Sequence, residues 1–315
     1  MSSGVVWTDQ LYELFMSSHL DQALQLVKEN RPEFLYRYRS GTENDLDALL
    51  NGYEWMSFPS DYNDVYDSSL FFNEEYIVNS LSDFMMRRCL SLDKFPPPVV
   101  KYIESCEGGN LVEKIISAAS NKRLSLGNID VDSVVAQHNS ILDLNKRKFH
   151  EAKEFLKSRV KTCSFSTVMN SAYMWAVYAG SGSGYCAKYS INDQDLSFSD
   201  SGLFPMIYRE EELDFTNFIC DFIRSGSFRS GAFLLASSVK HSNWMPEGEW
   251  RVIRSGECSS HYLKEIYLES VFLGMNASED LVYKVVDICN KKGVPVHQVV
   301  VNSSKFNDFD TKRLN

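Results

Sequence analysis

The spacing of apolar and polar positions divides this chain into amphipathic helices and short alternating strands. Residues 8–29 carry apolar positions at helical spacing in two runs. The second starts near Ser18 and sets Leu20, Ala23, Leu24 and Val27 on one face. FLYRYRS (34–40) alternates instead, with Tyr36 and Tyr38 on one side and Arg37 and Arg39 on the other, which predicts a strand. TENDLDALLNG (42–52) returns to helical spacing through Leu46, Leu49 and Leu50, with Thr42 or Asn44 as cap and Asn51-Gly52 as stop. YEWMSFP (53–59) reads as a second strand and SDYNDVYD (60–67) as a loop.

Residues 69–92 and 110–160 read as helical, separated by the breakers FPPP (95–98) and Gly108-Gly109. KTCSFS (161–166) predicts a strand, SAYMWAVYA (171–179) a helix, GSGSG (180–184) a loop and YCAKYSI (185–191) a strand. Helices are expected over 210–225 and 228–240. The strands EWRVIR (249–254), EIYLESVFLG (265–274) and VPVHQVVV (294–301) flank a helix over 278–293 capped by Ser278. The echo of YNDVYD (62–67) in FNDFD (306–310) reads as coincidence. The pattern predicts an α+β fold with a mixed, largely antiparallel sheet. It is expected to form one domain over 1–315, with a helical insertion at 69–160 between early and late strands.

With 44% hydrophobic and 13% aromatic residues, the chain has the material for a core. A net charge of −10 and a pI near 5.2 set the global field against nucleic acid and anionic membrane. The local basic excess of NKRKFHEAKEFLKSRVK (145–161) reads as a solvated helix face. Seven scattered cysteines without a C-x-x-C fit reduced thiols in a cytoplasm better than disulfides or zinc. The first residues carry no basic, then apolar, leader pattern, and no apolar run is long enough to span a membrane. The expectation is a cytoplasmic globule.

PEGEWRVI (246–253) raises the question of chemistry. In a strand, Trp250 and Val252 share one face, and Glu247, Glu249 and Arg251 share the other. Such a face is either solvated or the wall of a polar site; the reading favoured here is a site wall. Other candidates are weaker. GSGSG follows a helix and precedes a strand, the reverse of a phosphate cradle, so it reads as a glycine cap and turn. SDYNDVYD supplies Asp61, Asn63, Asp64 and Asp67, but Tyr66 and Phe72 stand where a calcium loop needs glycine and an acid. An Asx-turn network, or a carboxylate pairing with Arg37, Arg39 or Arg251, fits better. Trp175 and Tyr178, at i and i+3 on a helix, read as core or as an aromatic wall with the Tyr178 hydroxyl as donor.

In order along the chain stand LYRYRS (35–40), W-x-S-x-P-x-x-Y-N-D-x-Y-D (55–67), CSFS (163–166), MWxxYA (174–179), K-x-x-x-W-x-x-E-x-E-W-R (240–251) and VFLG (271–274). As a set over residues 10–305 they resemble the bacterial domain-of-unknown-function family two-nine-seven-one. Three positions depart from its pattern: Val65 replaces a proline, Gly182 a histidine and Lys188 an acid. The order of an arginine strand, a short helix ending in glycine, a serine strand and a late E-x-E strand more remotely resembles ADP-ribosyltransferases. That resemblance implies NAD as cofactor and a protein or nucleic-acid acceptor, in a stress or phage-defence setting. It makes Glu249 the catalytic acid, Glu247 the activator of an acceptor and Arg39 the phosphate clamp. Ser164 or Ser166 organises the site, Tyr178 or Trp175 is the aromatic wall, and Arg251 lines the same cleft. Two other readings stay open. In a non-catalytic ligand-sensing or interaction module, Glu249–Arg251 and Asp64–Arg39 are structural ion pairs. In a metal hydrolase, Asp64, Asp67 and Glu249 hold the ion, against which stands the absence of any compact ligand motif.

Overall fold

The computed structural model describes residues 4–62, 67, 70–158, 160–191, 201–227, 231–255, 262–263, 266–302 and 308–315. In chain order, α1 (Gly4–Met16) and α2 (Leu20–Glu29) precede β1 (Phe34–Arg39), α3 (Glu43–Asn51) and β2 (Leu70–Phe71). Four helices follow: α4 (Glu74–Cys89), α5 (Pro97–Ser105), α6 (Leu111–Ser120) and α7 (Val131–Ser158). Next come β3 (Val160–Ser166), α8 (Ala172–Tyr178), β4 (Tyr185–Ile191), β5 (Ser201–Pro205), β6 (Ile207–Arg209) and β7 (Leu213–Asp214). Helices α9 (Thr216–Ser225) and α10 (Ala232–Ala236) lead to β8 (Val239–His241) and β9 (Glu249–Ser255). The chain closes with β10 (Ile266–Leu273), α11 (Glu279–Lys292), β11 (Val296–Val301) and β12 (Phe309–Arg313).

The fold is α+β. Eight strands form one sheet in the order β12-β11-β10-β4-β1-β3-β9-β5. Every neighbouring pair is antiparallel except β10 and β11, which are parallel and joined through α11, as a parallel connection requires. Local chemistry explains several elements. Thr42 and Asp45 make a reciprocal capping box at α3, which ends at Gly52 in the left-handed region. Ser278 caps α11, and Gly293 ends it. The expected strand at 53–59 is absent: only Ser57 finds a ladder partner, Thr162, because Pro59 opens a tight turn and Glu54 is drawn to two arginines. The helix expected over 228–240 is confined to α10, and Val239–His241 instead lies parallel to β6. Strands β5 and β12 and helix α5, which starts on the proline run of the expected breaker, carried no sequence expectation. Pro97 stands in the first turn of α5, where its missing N–H costs nothing.

The chain divides into two compact units. Residues 70–156 and 214–229 make a helical unit whose core joins Met86, Phe95, Val99, Ile103, Leu111 and Ile115. The sheet belongs to the other unit, made of residues 1–69, 157–213 and 230–315. One of its cores, built on Tyr38, Met174, Trp175, Cys186 and Phe272, backs the cavity described next.

Candidate functional site

Strand β9 supplies the floor of the site. Its alternation sends Trp250 and Val252 to one side and Glu249 and Arg251 to the other. The register of β3 sets Ser166 opposite Glu249 and Ser164 opposite Arg251, so both serines share the charged face. Tyr36, opposite Ser166, brings β1 to the same face. Glu247 reaches it by another route: it ends a tight turn over Ser242–Glu247, and Gly248 in the left-handed region starts the strand after it. A Cβ at Gly248 would lie 2.6 Å from Thr167 Oγ1, so the turn has no room for a side chain there.

The face is not solvated. Glu247, Glu249 and Arg251 are 3%, 5% and 1% exposed. Arg251 donates from Nε to Glu249 Oε1 at 2.7 Å and from Nη2 to Asp67 Oδ2 at 2.5 Å. It also donates from Nη1 to the Ser237 carbonyl at 3.2 Å. Lys240 Nζ lies 2.6 Å from Glu247 Oε2, 2.9 Å from Glu249 Oε2 and 3.4 Å from Asp67 Oδ2. Tyr178 donates its hydroxyl to Glu247 Oε1. The Ser166 hydroxyl donates to the Glu247 carbonyl at 2.6 Å and so anchors the turn. The Glu249 N–H donates to the Tyr208 hydroxyl at 2.8 Å. Aromatic faces complete the cation shells: Lys240 sits 4.9 Å from the Trp244 ring centroid and Arg251 5.0 Å from that of Tyr62.

Among the described residues this cluster joins three carboxylates to two cations. The imbalance falls unequally on the two glutamates. Burial alone would raise Glu249, but Arg251 and Lys240 outweigh it, and the Ser164 hydroxyl adds a bond, holding the carboxyl at about 2. Glu247 is also buried, and there burial wins over Lys240 and the Tyr178 bond, so its carboxyl is raised above the usual range. Burial and the bond to Glu247 raise the Tyr178 phenol. Glu249 is therefore a fixed negative charge, and Glu247, held above the usual carboxylate range, is the carboxyl that takes a proton more readily.

Above the cluster opens a cavity of about 590 Å³, bordered by Tyr36, Trp55, Tyr62, Tyr178, Trp244 and the charged side chains. It lies where β1 and β3 part. The two strands pair at one register position, Tyr36↔Ser166, and further along β3 the partner is Ser57. In between, the Ser164 carbonyl accepts from Arg37 Nη1 at 2.7 Å.

A second charged group lies across the sheet. Alternation puts Arg37 and Arg39 on the opposite face from Tyr36 and Tyr38. Both arginines meet Glu54, at 2.8 and 2.5 Å, and Arg39 also meets Asp45 at 3.6 Å. Tyr189 donates to the other oxygen of Glu54. Arg39 borders the cavity through its strand, but its guanidinium is committed to Glu54 and Asp45.

The structure thus brings Glu247, Glu249, Arg251, Tyr178, Ser164 and Ser166 together. It does not bring Arg39 or Trp175 to them. Trp175 is core, edge-on to Tyr38 at 5.2 Å, so the wall on α8 is made by Met174, Val177 and Tyr178. Asn63 and Asp64 lie outside the described residues; the loop carboxylate that pairs with Arg251 is Asp67. Among the described residues no set of three His, Cys, Asp or Glu side chains is placed to hold a metal ion. Sequence reasoning named Lys240 in a motif but gave it no role, offered Asp67 as one of several loop carboxylates for an arginine or a metal, and gave no place to Tyr208 or Glu54. Lys240 did carry a signal, since a lysine amid the apolar positions of AFLLASSVKHSNW is costly to bury unless paired.

The glycine loop binds its own helix. Gly182 N–H donates to the Trp175 and Ala179 carbonyls and Gly184 N–H to Ala179, the cap expected of it. A Cβ at Gly184 would lie 2.0 Å from the Arg39 carbonyl oxygen, and one at Gly274 2.1 Å from that of Gly182. Comparison with known proteins places no relative beside this site: no family model, curated protein or solved structure matches the chain.

Proposed function

We propose that the cavity binds a small molecule with a flat, positively charged ring, and that the chain is an ADP-ribosyltransferase-like enzyme using NAD. The observation that carries this reading is the unbalanced negative charge of the Asp67–Lys240–Glu247–Glu249–Arg251 cluster beneath aromatic walls. A pyridinium ring satisfies both features, by stacking and by charge. Glycosidic cleavage of NAD releases neutral nicotinamide and leaves positive charge on the ribose, which a fixed carboxylate stabilises. Glu249, held ionised, fits that role better than acid catalysis. Glu247, with its raised carboxyl, fits the base that takes the proton of an attacking hydroxyl or amine. The acceptor in this reading is a protein or nucleic acid, and Arg39 is committed to Glu54 and Asp45.

The second reading is a non-catalytic module whose ion network fixes the fold. It is favoured by the saturation of Glu249, which is bonded by Arg251, Lys240 and Ser164. Calorimetric titration of NAD, with nicotinamide release followed in parallel, separates the two. The enzyme reading expects binding in the wild type and in Glu247→Gln, with release abolished in Glu247→Gln. The absence of both heat and release in the wild type, with acceptor extracts supplied, would sink it in favour of the ion-network reading.

A further inference from the structure

Strand β12 ends the sheet, and its outer edge is self-complementary. Its partner on the inner side is β11, in the antiparallel register His297↔Arg313 to Val301↔Phe309. The bonds Leu314 N–H to Val296 O, 2.8 Å, and Asn302 N–H to Asp308 O, 3.4 Å, fix which backbone groups face β11: those of residues 308, 310, 312 and 314. The N–H and C=O groups of Phe309, Thr311 and Arg313 therefore point away from the sheet. Asp308 Oδ1 takes the Phe309 N–H at 3.0 Å, and no hydrogen bond among the described residues takes the outward groups of Thr311 or Arg313. Asp310 to Arg313 are exposed. The other edge of the sheet offers nothing comparable, since residues 202–205 of β5 are buried.

We propose that β12 pairs antiparallel with β12 of a second copy of this chain, about a two-fold axis at Thr311. This register uses the outward groups as they stand. Thr311 exchanges both of its bonds with the partner's Thr311, and each Arg313 N–H donates to the partner's Phe309 carbonyl. Asp310 then faces the partner's Lys312, and Lys312 the partner's Asp310. Both pairs occupy non-hydrogen-bonded positions, where facing side chains approach most closely. The segment FDTKR reads acid at one end and base at the other, so antiparallel self-pairing matches opposite charges twice, whereas a parallel arrangement would set like against like. The five residues of the strand carry one positive charge in excess in a chain of net charge −10, so the paired edges do not bring the acidic excess of the two copies together. The interface is isologous and closes at two copies. An open sheet edge is a liability unless something covers it, and here the second copy is the cover.

The test is sedimentation velocity of the full chain over a concentration series, with melting curves as a control for folding. The wild type is expected to show a monomer–dimer equilibrium. Lys312→Asp sets acid against acid twice and weakens the dimer by about tenfold or more. The double variant Asp310→Lys with Lys312→Asp restores both pairs in the opposite sense and rescues it. Thr311→Pro removes an outward N–H without touching a bond to β11, and should abolish the dimer while the melting temperature barely moves. A wild type that stays monomeric throughout overturns the proposal. So does a dimer indifferent to both Lys312→Asp and Thr311→Pro, which would have formed through another surface.

Discussion

Two clusters of arginine and carboxylate lie on opposite faces of the same sheet, and their difference is one of charge balance. On one face Arg37 and Arg39 share Glu54, and Asp45 completes a set of two bases and two acids. On the other, Lys240 and Arg251 hold Asp67, Glu247 and Glu249, two bases to three acids. A balanced buried cluster has little to offer a ligand, since its costs and gains are met internally. An unbalanced one keeps a proton or a cation as an unfilled requirement. The Glu54 cluster is thus matched within itself, while the Glu247 cluster holds one acid more than its bases.

The largest expected effect comes from removing one of the two cations of the site cluster. Arg251→Met leaves Glu249 and Asp67 to Lys240 alone and should cost about 3–5 kcal/mol in urea denaturation. Glu54→Gln should follow at about 2–4 kcal/mol, because two guanidinium groups lose their common partner. It should leave any ligand heat unchanged after correction for the folded fraction; a selective loss of binding would break the division between the clusters. The two glutamates should then differ in the sign of their pH dependence. Glu249 is depressed, so its stabilisation is present above the ordinary value of 4.5 and is lost as pH falls towards about 2. Glu247 is raised, so its stabilisation is present at low pH and is lost as pH rises through its raised value. Glu249→Gln should therefore lower the melting temperature at pH 7, while Glu247→Gln should leave it level or raise it; equal losses would sink the unequal sharing argued above. The smallest effect is Tyr178→Phe, about 1 kcal/mol in stability. It should shift the pH profile of any activity, since Glu247 loses its hydroxyl donor.

Much of this was legible in the residues. The alternation of FLYRYRS and EWRVIR located two sheet strands, and Thr42, Gly52 and Ser278 marked helix ends, because those signals are local. The convergence of Glu247, Glu249 and Arg251 was also readable, although Glu247 arrives by a turn and a left-handed glycine rather than by strand alternation. What was not legible depends on partners distant in sequence. Arg39 looked free to clamp phosphate because its pairing with Glu54 depends on where residues 53–58 run once they fail to form a strand. Trp175 and Tyr178 share a helix, but the first is claimed by Tyr38. Lys240 was placed in a helix; as a strand residue it is the hub of the site.

The glycines at 184 and 274 have a consequence for binding rather than for folding. There the chain just before β4 lies against the Arg39 carbonyl, and the chain after β10 lies against Gly182, with no side chain between. Main chain in contact with main chain has no rotamers to surrender. The loop that follows Tyr178 is held in this way, together with bonds from Gly274 N–H to Gly184 O and from Asn276 N–H to Gly182 O. The cavity wall is thus ordered before any ligand arrives. A molecule entering it does not bear the entropy of arranging that wall, and its association should follow a single fast phase with no slow closure of the α8 side.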